Sequence, residues 1–479
     1  MNETDRALTR RVGKLPHTRA DDGLKRLTAS ANHSLLWLLI AAVLASRRGV
    51  TRRAAFRGLA AIAGASLTAN AIAKPLFPRR RPAADALPNW RALPDPPTSS
   101  SFPSGHAASA VAFTTAVAME SPVAGALIAP LAATVAYSRV HTGVHWPSDV
   151  VGGMALGGAV ALATRRWWPV RPTSPATARP HADAVALPDG NGLLLACNPL
   201  SGDGGVDPAE EAAKRLPAAR IVSLDNGDDL VAQLESAIDR DTRAIGVAGG
   251  DGTVCAAAAL AAQRQLPLVV LPTGTLNHFA RDIGVQSIED AADAVSRGEA
   301  VAVDLASVSV NRGKPRPFLN TASLGGYPDM VRLRERWQDR WGKWPAATFA
   351  LVRVLAAAMP MRVRVDGHQL KVWILFVGNN QYYPRGMAPA YRPSLDGGLL
   401  DVRYLRADLP LSRLRFVLGA LAGALLHSRT YVQQEAHSVR VDVLGQPVAL
   451  ATDGEVIQTG SRFEFTVARR PLVVYRPES

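Results

Sequence analysis

Cysteine is almost missing from this 479-residue chain, with only Cys197 and Cys255, one in an apolar strand-like context and one in a helix-like context. Two thiols so placed have neither the spacing of a metal cage nor the density of a disulfide framework, and both read as core residues. No Gly-x-x-x-x-Gly-Lys loop occurs, which removes the common phosphate-loop route to nucleotide binding. Nor does any nucleic-acid motif accompany the net charge of +14. The arginines cluster between apolar runs and after the last of them, a distribution that suits anionic lipid headgroups at least as well as nucleic acid. No cleavable secretion signal is legible at the polar, basic start, so insertion is expected to rely on apolar spans. Length implies two domains.

The apolar runs all fall in the first third, at Leu35–Ala45, Ala54–Ala73, Ala107–Met119, Val123–Tyr137 and Val150–Ala163. Several are short against the roughly 20 residues of a perpendicular span. Their Ala/Gly content, scarcity of charge, tight turns and terminal Trp167-Trp168 nevertheless favour close-packed membrane helices over a buried soluble bundle. We expect an all-α membrane helix bundle over 33–166, preceded by a polar segment, 1–32, that is weakly amphipathic around Leu24 and Leu27.

Three blocks carry chemistry in this half: Lys74-Pro-Leu-Phe-Pro-Arg79-Arg80-Arg81-Pro82, Pro103-Ser104-Gly105-His106, and Ser138-Arg139 through His145-Trp-Pro-Ser-Asp149. Pro147 suits the first position of a helix, so His145 sits just outside that helix and Asp149 in its first turn, from where its carboxylate can reach back. A carboxylate on one imidazole nitrogen fixes the tautomer, aims the other nitrogen outward and stabilises the cation formed on attack. Lys74, Arg81 and Arg139 supply converging positive charge for a phosphoryl group. Ser104 and Gly105 add donors at a helix start, where backbone can approach an anion closely. His106 is then placed to protonate the leaving alkoxide. Arg79, Arg80 and His141 read as caps or basic-loop residues.

Together the blocks resemble those of the type 2 phosphatidic acid phosphatase superfamily, over about Leu35 to Arg165. The resemblance implies that His145 is a nucleophile forming a phosphohistidine, Asp149 its orienter, His106 the acid, and Lys74, Arg81, Ser104, Gly105 and Arg139 the phosphate site. It implies no cofactor or metal. All three blocks are expected on one side, with the basic Arg47-Arg48…Arg52-Arg53 loop and the Met119–Val123 turn on the other, cytoplasmic by the positive-inside tendency. Leu35–Ala45 either spans or lies at the interface.

From 167 to 190 the composition, rich in Pro, Ala, Thr and Arg, describes a linker. Beyond it Leu193–Cys197, Arg220–Leu224, Ala244–Ala248 and Leu268–Leu271 read as short buried strands between helices, a parallel α/β lobe over 191–300 that includes the C-terminal tail. Three loops follow three of these strands: Asn198-Pro-Leu-Ser201-Gly202, Gly249-Gly250-Asp251-Gly252-Thr253, and Pro272-Thr-Gly-Thr275-Leu-Asn277. Glycines let amides close on phosphate oxygens, and Asp251 adds a carboxylate able to act through magnesium or its waters. From Val301, alternating strands read as a β-sandwich lobe over 301–479. It holds Leu395-Asp396-Gly397-Gly398-Leu-Leu-Asp401 and Asp453-Gly454-Glu455.

This half resembles the diacylglycerol kinase catalytic domain family, which includes bacterial lipid kinases and sphingosine kinases. The resemblance implies ATP as substrate with Mg2+, bound through Asn198, Ser201, Gly249, Gly250, Asp251, Gly252, Thr253 and Thr275. Asp453 and Glu455 would lie at the catalytic centre, one of them the general base. The family's structural magnesium site usually has an Asp where this chain has Gly397, leaving Asp396 and Asp401 as candidate metal ligands with plain turn carboxylates as the alternative. Arg332–Trp344 reads as a basic-aromatic helix suited to a membrane surface, with a solvated helix as the alternative. Leu411–Leu426 reads as a packed helix lining a lipid groove.

The expectation is a bifunctional, multi-pass membrane enzyme: a lipid-phosphate phosphatase fused to an ATP-dependent kinase of a lipid hydroxyl such as diacylglycerol. Its partners would be membrane lipids and not nucleic acid, with the kinase cytoplasmic and the phosphatase site outside. The alternatives are a kinase with a silent membrane anchor, and a phosphatase with a regulatory lipid-binding domain.

Overall fold

The computed structural model describes residues 3–478 except 48, 84–87, 95, 171, 173, 181–183, 199–200, 202–206, 225–228, 275–276, 326–358, 387–388 and 469. The chain divides into two compact units, Met1–Arg171 and Pro172–Ser479.

The first unit is helical: α1 (Glu3–Gly13), α2 (Arg19–Ser30), α3 (Leu35–Ala45), α4 (Val50–Leu67), α5 (Gly105–Glu120), α6 (Pro122–His141) and α7 (Pro147–Ala163). Ser104 caps α5 and Ser121 caps α6, while Pro122 and Pro147 sit in the first turns of α6 and α7, where a missing N–H costs nothing. The core of the unit is small-residue packing. A Cβ on Gly157 would lie 2.2 Å from the Ala108 carbonyl oxygen and one on Gly153 would lie 2.4 Å from that of Ser104, so α7 presses its backbone onto α5. Close approach of this kind is how helices without large apolar side chains gain dispersion contact. Among the described residues, Val50–Leu76 and Pro122–His141 are long and apolar enough to cross a membrane, and α2 with α3 passes only as a pair bent by 66°.

The second unit holds two sheets. Strands β1 (Arg179–Pro180), β2 (Leu193–Cys197), β3 (Arg220–Ser223), β4 (Ala244–Ala248), β5 (Leu268–Leu271), β6 (Ala300–Val303) and β18 (Leu472–Tyr475) form a seven-stranded sheet in the order β1-β6-β18-β5-β4-β2-β3. The central run from β18 to β3 is parallel. β2, β4 and β5 are buried throughout, as continuous Leu/Val/Ala/Ile runs demand. Helices α8 (Pro208–Arg215), α9 (Leu230–Ala237), α10 (Asp251–Arg264), α11 (His278–Asp282) and α12 (Ile288–Arg297) connect these strands.

The second sheet has eleven antiparallel strands, among them β7 (Ala306–Val310), β9 (Thr321–Gly325), β11 (His368–Asn379), β12 (Leu400–Arg406), β15 (Val448–Thr452) and β16 (Glu455–Gly460). One core, with Phe318, Leu375, Phe463 and Phe465, fills it. The run Val301–Val310, one strand by composition, is two: β6 and β7 belong to different sheets. The break falls at Asp304, whose N–H bonds the Leu395 carbonyl and whose carboxylate accepts from the Gly398 N–H, taking the chain off the first sheet's ladder.

Two further stretches differ from their compositional reading. In 167–190, read as linker, Ala176 N–H bonds the Asp282 carbonyl, β1 pairs with Val301–Ala302, and Leu187 is buried. The apolar stretch Leu411–Leu426 contains α13 (Ser412–Leu421) and buries Ser412 and Leu425 but turns most of its apolar side chains outward. Leu411 (71 % exposed), Leu414, Val417, Leu418, Leu421 (67 %) and Leu426 all face out. The segment Arg332–Trp344 lies outside the described residues.

Candidate active sites

In the first unit α6 ends at His141, Gly143 turns the chain with φ +70°, and Pro147 restarts it as α7, which leaves His145 in a short buried loop. His145 Nδ1 lies 2.7 Å from the Ser101 carbonyl oxygen, which can only accept, so Nδ1 carries the proton. Nε2 is then unprotonated and accepts from Arg81 Nη1 at 3.2 Å. Asp149 Oδ2 stands 3.7 Å from Nδ1, too far for a hydrogen bond. The tautomer is therefore set by a backbone carbonyl, and the carboxylate acts on the ring through charge. Burial, with help from Arg139 and Arg81, pushes the His145 pKa down to about 4 against the opposing pull of Asp149. The ring is neutral at pH 7 and its lone pair is available.

Asp149 is fully buried. It caps its own helix by accepting from Trp146 N–H at 2.8 Å and accepts from Arg79 Nη1 at 2.6 Å. Arg79, read from sequence as a basic-loop residue, also binds Asp5 at 2.7 Å. Asp5 in turn accepts from the N–H and hydroxyl of Ser148. A chain Asp5–Arg79–Asp149 thus stands behind His145, and one of its three members, Asp5, comes from a segment that no motif singled out.

The remaining residues of the three blocks surround the same loop. Ser104 is the N-cap of α5, buried, with its N–H on the Asp149 carbonyl. Gly105 opens the helix beside space that even a Cβ would not fill. Arg81 is braced by the carbonyls of Ser99 and Val144. Lys74 Nζ donates to Asn70 Oδ1 at 2.8 Å. Arg139 Nη1 donates to Thr28 Oγ1, and its Nε is buried with no hydrogen-bond partner. His106 Nε2 donates to Asn32 Oδ1 at 2.9 Å, and the charges of Arg139, His145, Lys74 and Arg81 all bear on its ring. Three cations, an open helix start, an unprotonated imidazole nitrogen and an orphaned guanidinium N–H make a set of groups suited to a tetrahedral anion. His141 and Arg80 stay apart from it: His141 binds Asp21, and the Arg80 carbonyl holds the Trp146 indole N–H.

In the second unit the loops after β2, β4 and β5 emerge side by side because those strands are adjacent and parallel. A Cβ on Gly274 would lie 2.6 Å from Gly250 Cα, so two of the loops touch through their glycines. Ser201 hydroxyl shares a 2.8 Å bond with the Thr273 hydroxyl, joining the first loop to the third. Asn198 N–H bonds the Ala248 carbonyl. Gly249 backs onto Thr253, and Asp251 accepts from His278 N–H at 2.7 Å. Thr275 lies outside the described residues. Glu455, at the start of β16, reaches this cluster: a Cβ on Gly252 would be 2.5 Å from its Oε1. Asp453 does not share its freedom. Its oxygens accept from the N–H groups of Leu319, Asn320 and Thr321 at 2.7–2.9 Å, in a turn held at φ +50°.

The two candidate metal ligands are differently engaged. Asp401, fully buried, is clasped by Arg403 through Nε and Nη2 (2.6 Å for the latter) and accepts from Tyr382 N–H. Asp396 accepts from the Ser394 hydroxyl. Among the described residues no group of three or more His, Cys, Asp or Glu side chains could hold a metal ion.

Known proteins divide along the same line. The PAP2 superfamily matches residues 54–172, the diacylglycerol kinase catalytic domain 192–308, and the YegS C-terminal NAD kinase beta sandwich-like domain 334–469. A decaprenylphosphoryl-5-phosphoribose phosphatase of Mycobacterium tuberculosis is 38% identical over 159 residues, 32% of this chain and 80% of that protein. A diacylglycerol kinase of the same organism is 29% identical over 271 residues, 54% of this chain and 86% of that one. A crystal structure of a diacylglycerol kinase from Bacillus anthracis covers 60% of this chain and 96% of its own at 19% identity, with a TM-score of 0.42. The chain belongs to the PAP2 superfamily and joins that phosphatase-type domain to a diacylglycerol kinase catalytic domain, the make-up of a bifunctional lipid enzyme.

Proposed function

We propose that the first unit hydrolyses a lipid phosphate through a phosphohistidine at His145. The observation that carries this reading is the tautomer: Nδ1–H is spent on Ser101, and Nε2 faces Arg81 at 3.2 Å. Arg81, Lys74, Arg139 and the Ser104–Gly105 helix start hold the phosphoryl oxygens. Nε2 attacks phosphorus, the P–O bond to the lipid breaks, and His106 gives its proton to the departing alkoxide. Asp149 stabilises the imidazolium. Water, deprotonated by His106, then splits the N–P bond, releasing inorganic phosphate and restoring Nε2. A polyprenyl-linked phosphate and phosphatidate are both substrates of the right chemistry.

The second unit transfers the γ-phosphoryl group of ATP, which arrives as its magnesium complex, to a lipid hydroxyl such as that of diacylglycerol. Contact between the Gly250 and Gly274 loops supports a phosphate cradle there, with Asn198, Ser201, Gly249, Asp251 and Thr253 around it. Of the two late carboxylates, Glu455 suits the general base. It takes the hydroxyl proton as the new O–P bond forms and the β–γ bridge breaks, leaving ADP. Asp453 suits a structural role, with its oxygens taken by amides. A resident metal at Asp396 and Asp401 does not fit, because Arg403 already neutralises Asp401.

The apolar helices support membrane insertion, and Arg53 bonded to Glu120 ties the start of α4 to the end of α5, opposite the helix ends that bear Lys74 and Ser104. We place the phosphatase site outside and the kinase in the cytoplasm. The outward apolar stripe of α13, with Arg413 and Arg415, supports contact between the kinase and the bilayer surface. Sealed vesicles of known orientation test the arrangement. ATP-dependent lipid phosphorylation and phosphate release should appear on opposite sides, with radiolabelled phosphohistidine trapped in wild type and lost in His145→Ala. Both activities on the ATP-accessible side would refute the topology.

A further inference from the structure

The PAP2 match begins at residue 54, yet the anion pocket is completed by side chains upstream of it. Between α2 and α3 the chain bends by 66°, and His33 and Ser34 take left-handed φ values of +51° and +63°. Those two residues turn the end of α2 toward the start of α5. Two polar side chains on either side of the bend then touch the pocket: Thr28 accepts from Arg139 at 2.5 Å and Asn32 accepts from His106 at 2.9 Å.

We propose that Asn32 is a positioning residue for the acid of the phosphatase reaction: its carboxamide oxygen takes His106 Nε2–H, so that Nδ1 is the nitrogen that gains a proton when the ring becomes cationic beside a bound phosphate dianion and gives that proton to the leaving oxygen. The proposal rests on the assignment of His106 as that acid. The two histidines have opposite backing. His145, which must become a cation when it attacks, stands near a buried carboxylate. His106, which must give a proton away, stands against a neutral amide. A carboxylate in that place would stabilise the protonated ring and weaken it as an acid. Among the described residues, the groups whose charge bears most on His106 are Arg139, His145, Lys74 and Arg81. Thr28 does for Arg139 what Asn32 does for His106, holding one N–H so that the unpartnered Nε is left for the phosphoryl group.

Two probes with different leaving groups read this out in full-length protein: dioctanoyl phosphatidate, whose alkoxide must be protonated, and p-nitrophenyl phosphate, whose phenolate leaves without help. First-turnover rates are compared, so that only bond cleavage to the leaving group is measured. Asn32→Ala should slow phosphatidate about tenfold, a share of the factor that general acids contribute, and change nitrophenyl phosphate less than twofold. Asn32→Asp should move the alkaline limb of the phosphatidate profile upward by about one pH unit. Parallel losses on both probes, or an unmoved limb in Asn32→Asp, would overturn the proposal. His106→Ala is the reference. If it too slows both probes equally, His106 is not the acid and the underlying assignment falls; if it is selective and Asn32→Ala is not, only the role of Asn32 falls.

Discussion

Replacing Asp149 with Asn tests the carboxylate charge that stands beside His145. The side chains are nearly the same shape, and the amide oxygen can still accept from Trp146 N–H. The tautomer of His145 should survive as well, because Ser101 and not Asp149 holds its Nδ1–H. What disappears is one acceptor for Arg79 and a negative charge 3.7 Å from the ring, the charge worth about 4.5 kcal/mol against a full imidazolium at an effective dielectric constant near 20. With roughly half of that charge developed at the transition state, the barrier should rise by about 2 kcal/mol, a loss in kcat of about thirtyfold. The assay is turnover of a short-chain lipid phosphate at pH 7 by Asp149→Asn and wild type, with p-nitrophenyl phosphate binding as a check that the pocket is formed. A loss below threefold would mean that Asp149 matters only as a helix cap. A loss beyond a thousandfold would mean that the carboxylate orients the ring directly, and that the Ser101 contact is not what sets the tautomer.

Since His145 is held neutral down to about pH 4, its protonation should not limit kcat/KM between pH 5 and 7, and an acid limb should appear only near 4. An inflection at 6.5 traced to this ring by NMR would refute that. The sign for stability is the reverse of a salt-bridged histidine: the unfolded ring binds a proton from 6.5 downward and the folded one does not, so the first unit should lose stability as pH falls through 6.5 to 4. In the same unit Glu120→Ala would leave the buried guanidinium of Arg57 unpaired, costing about 3–5 kcal/mol, read as a drop in the detergent unfolding midpoint. A change under 1 kcal/mol would show that water reaches the pair. In the kinase half Glu455→Gln should cut lipid phosphorylation by at least about a hundredfold with ATP binding kept, whereas Asp453→Asn should lower thermal stability because one amide oxygen replaces a carboxylate serving three N–H groups. Equal activity losses with equal stability would undo that division of roles.

Much of this molecule could be read from the chain alone, because the signals were local. Leu35–Ala45 is a helix with those bounds, Pro147 does start α7, and the Leu/Val/Ala/Ile runs at 193, 244 and 268 are strands buried on both faces. In those cases a residue's type dictates its surroundings within a few positions. Asp304 is different, since it breaks an apolar run only through partners near residues 395–398. Leu411–Leu426 reads from sequence as a packed helix lining a lipid groove because composition reports apolarity and not what lies opposite. The sites divide the same way. Their residue types and spacing were legible, but whether Nδ1 of His145 meets a carbonyl or a carboxylate, that Asp5 backs Arg79, and that Thr28 and Asn32 reach the phosphate site depend on contacts between segments tens of residues or more apart. Such contacts are set by packing geometry at the scale of a few tenths of an ångström, which a linear pattern of polarity does not encode.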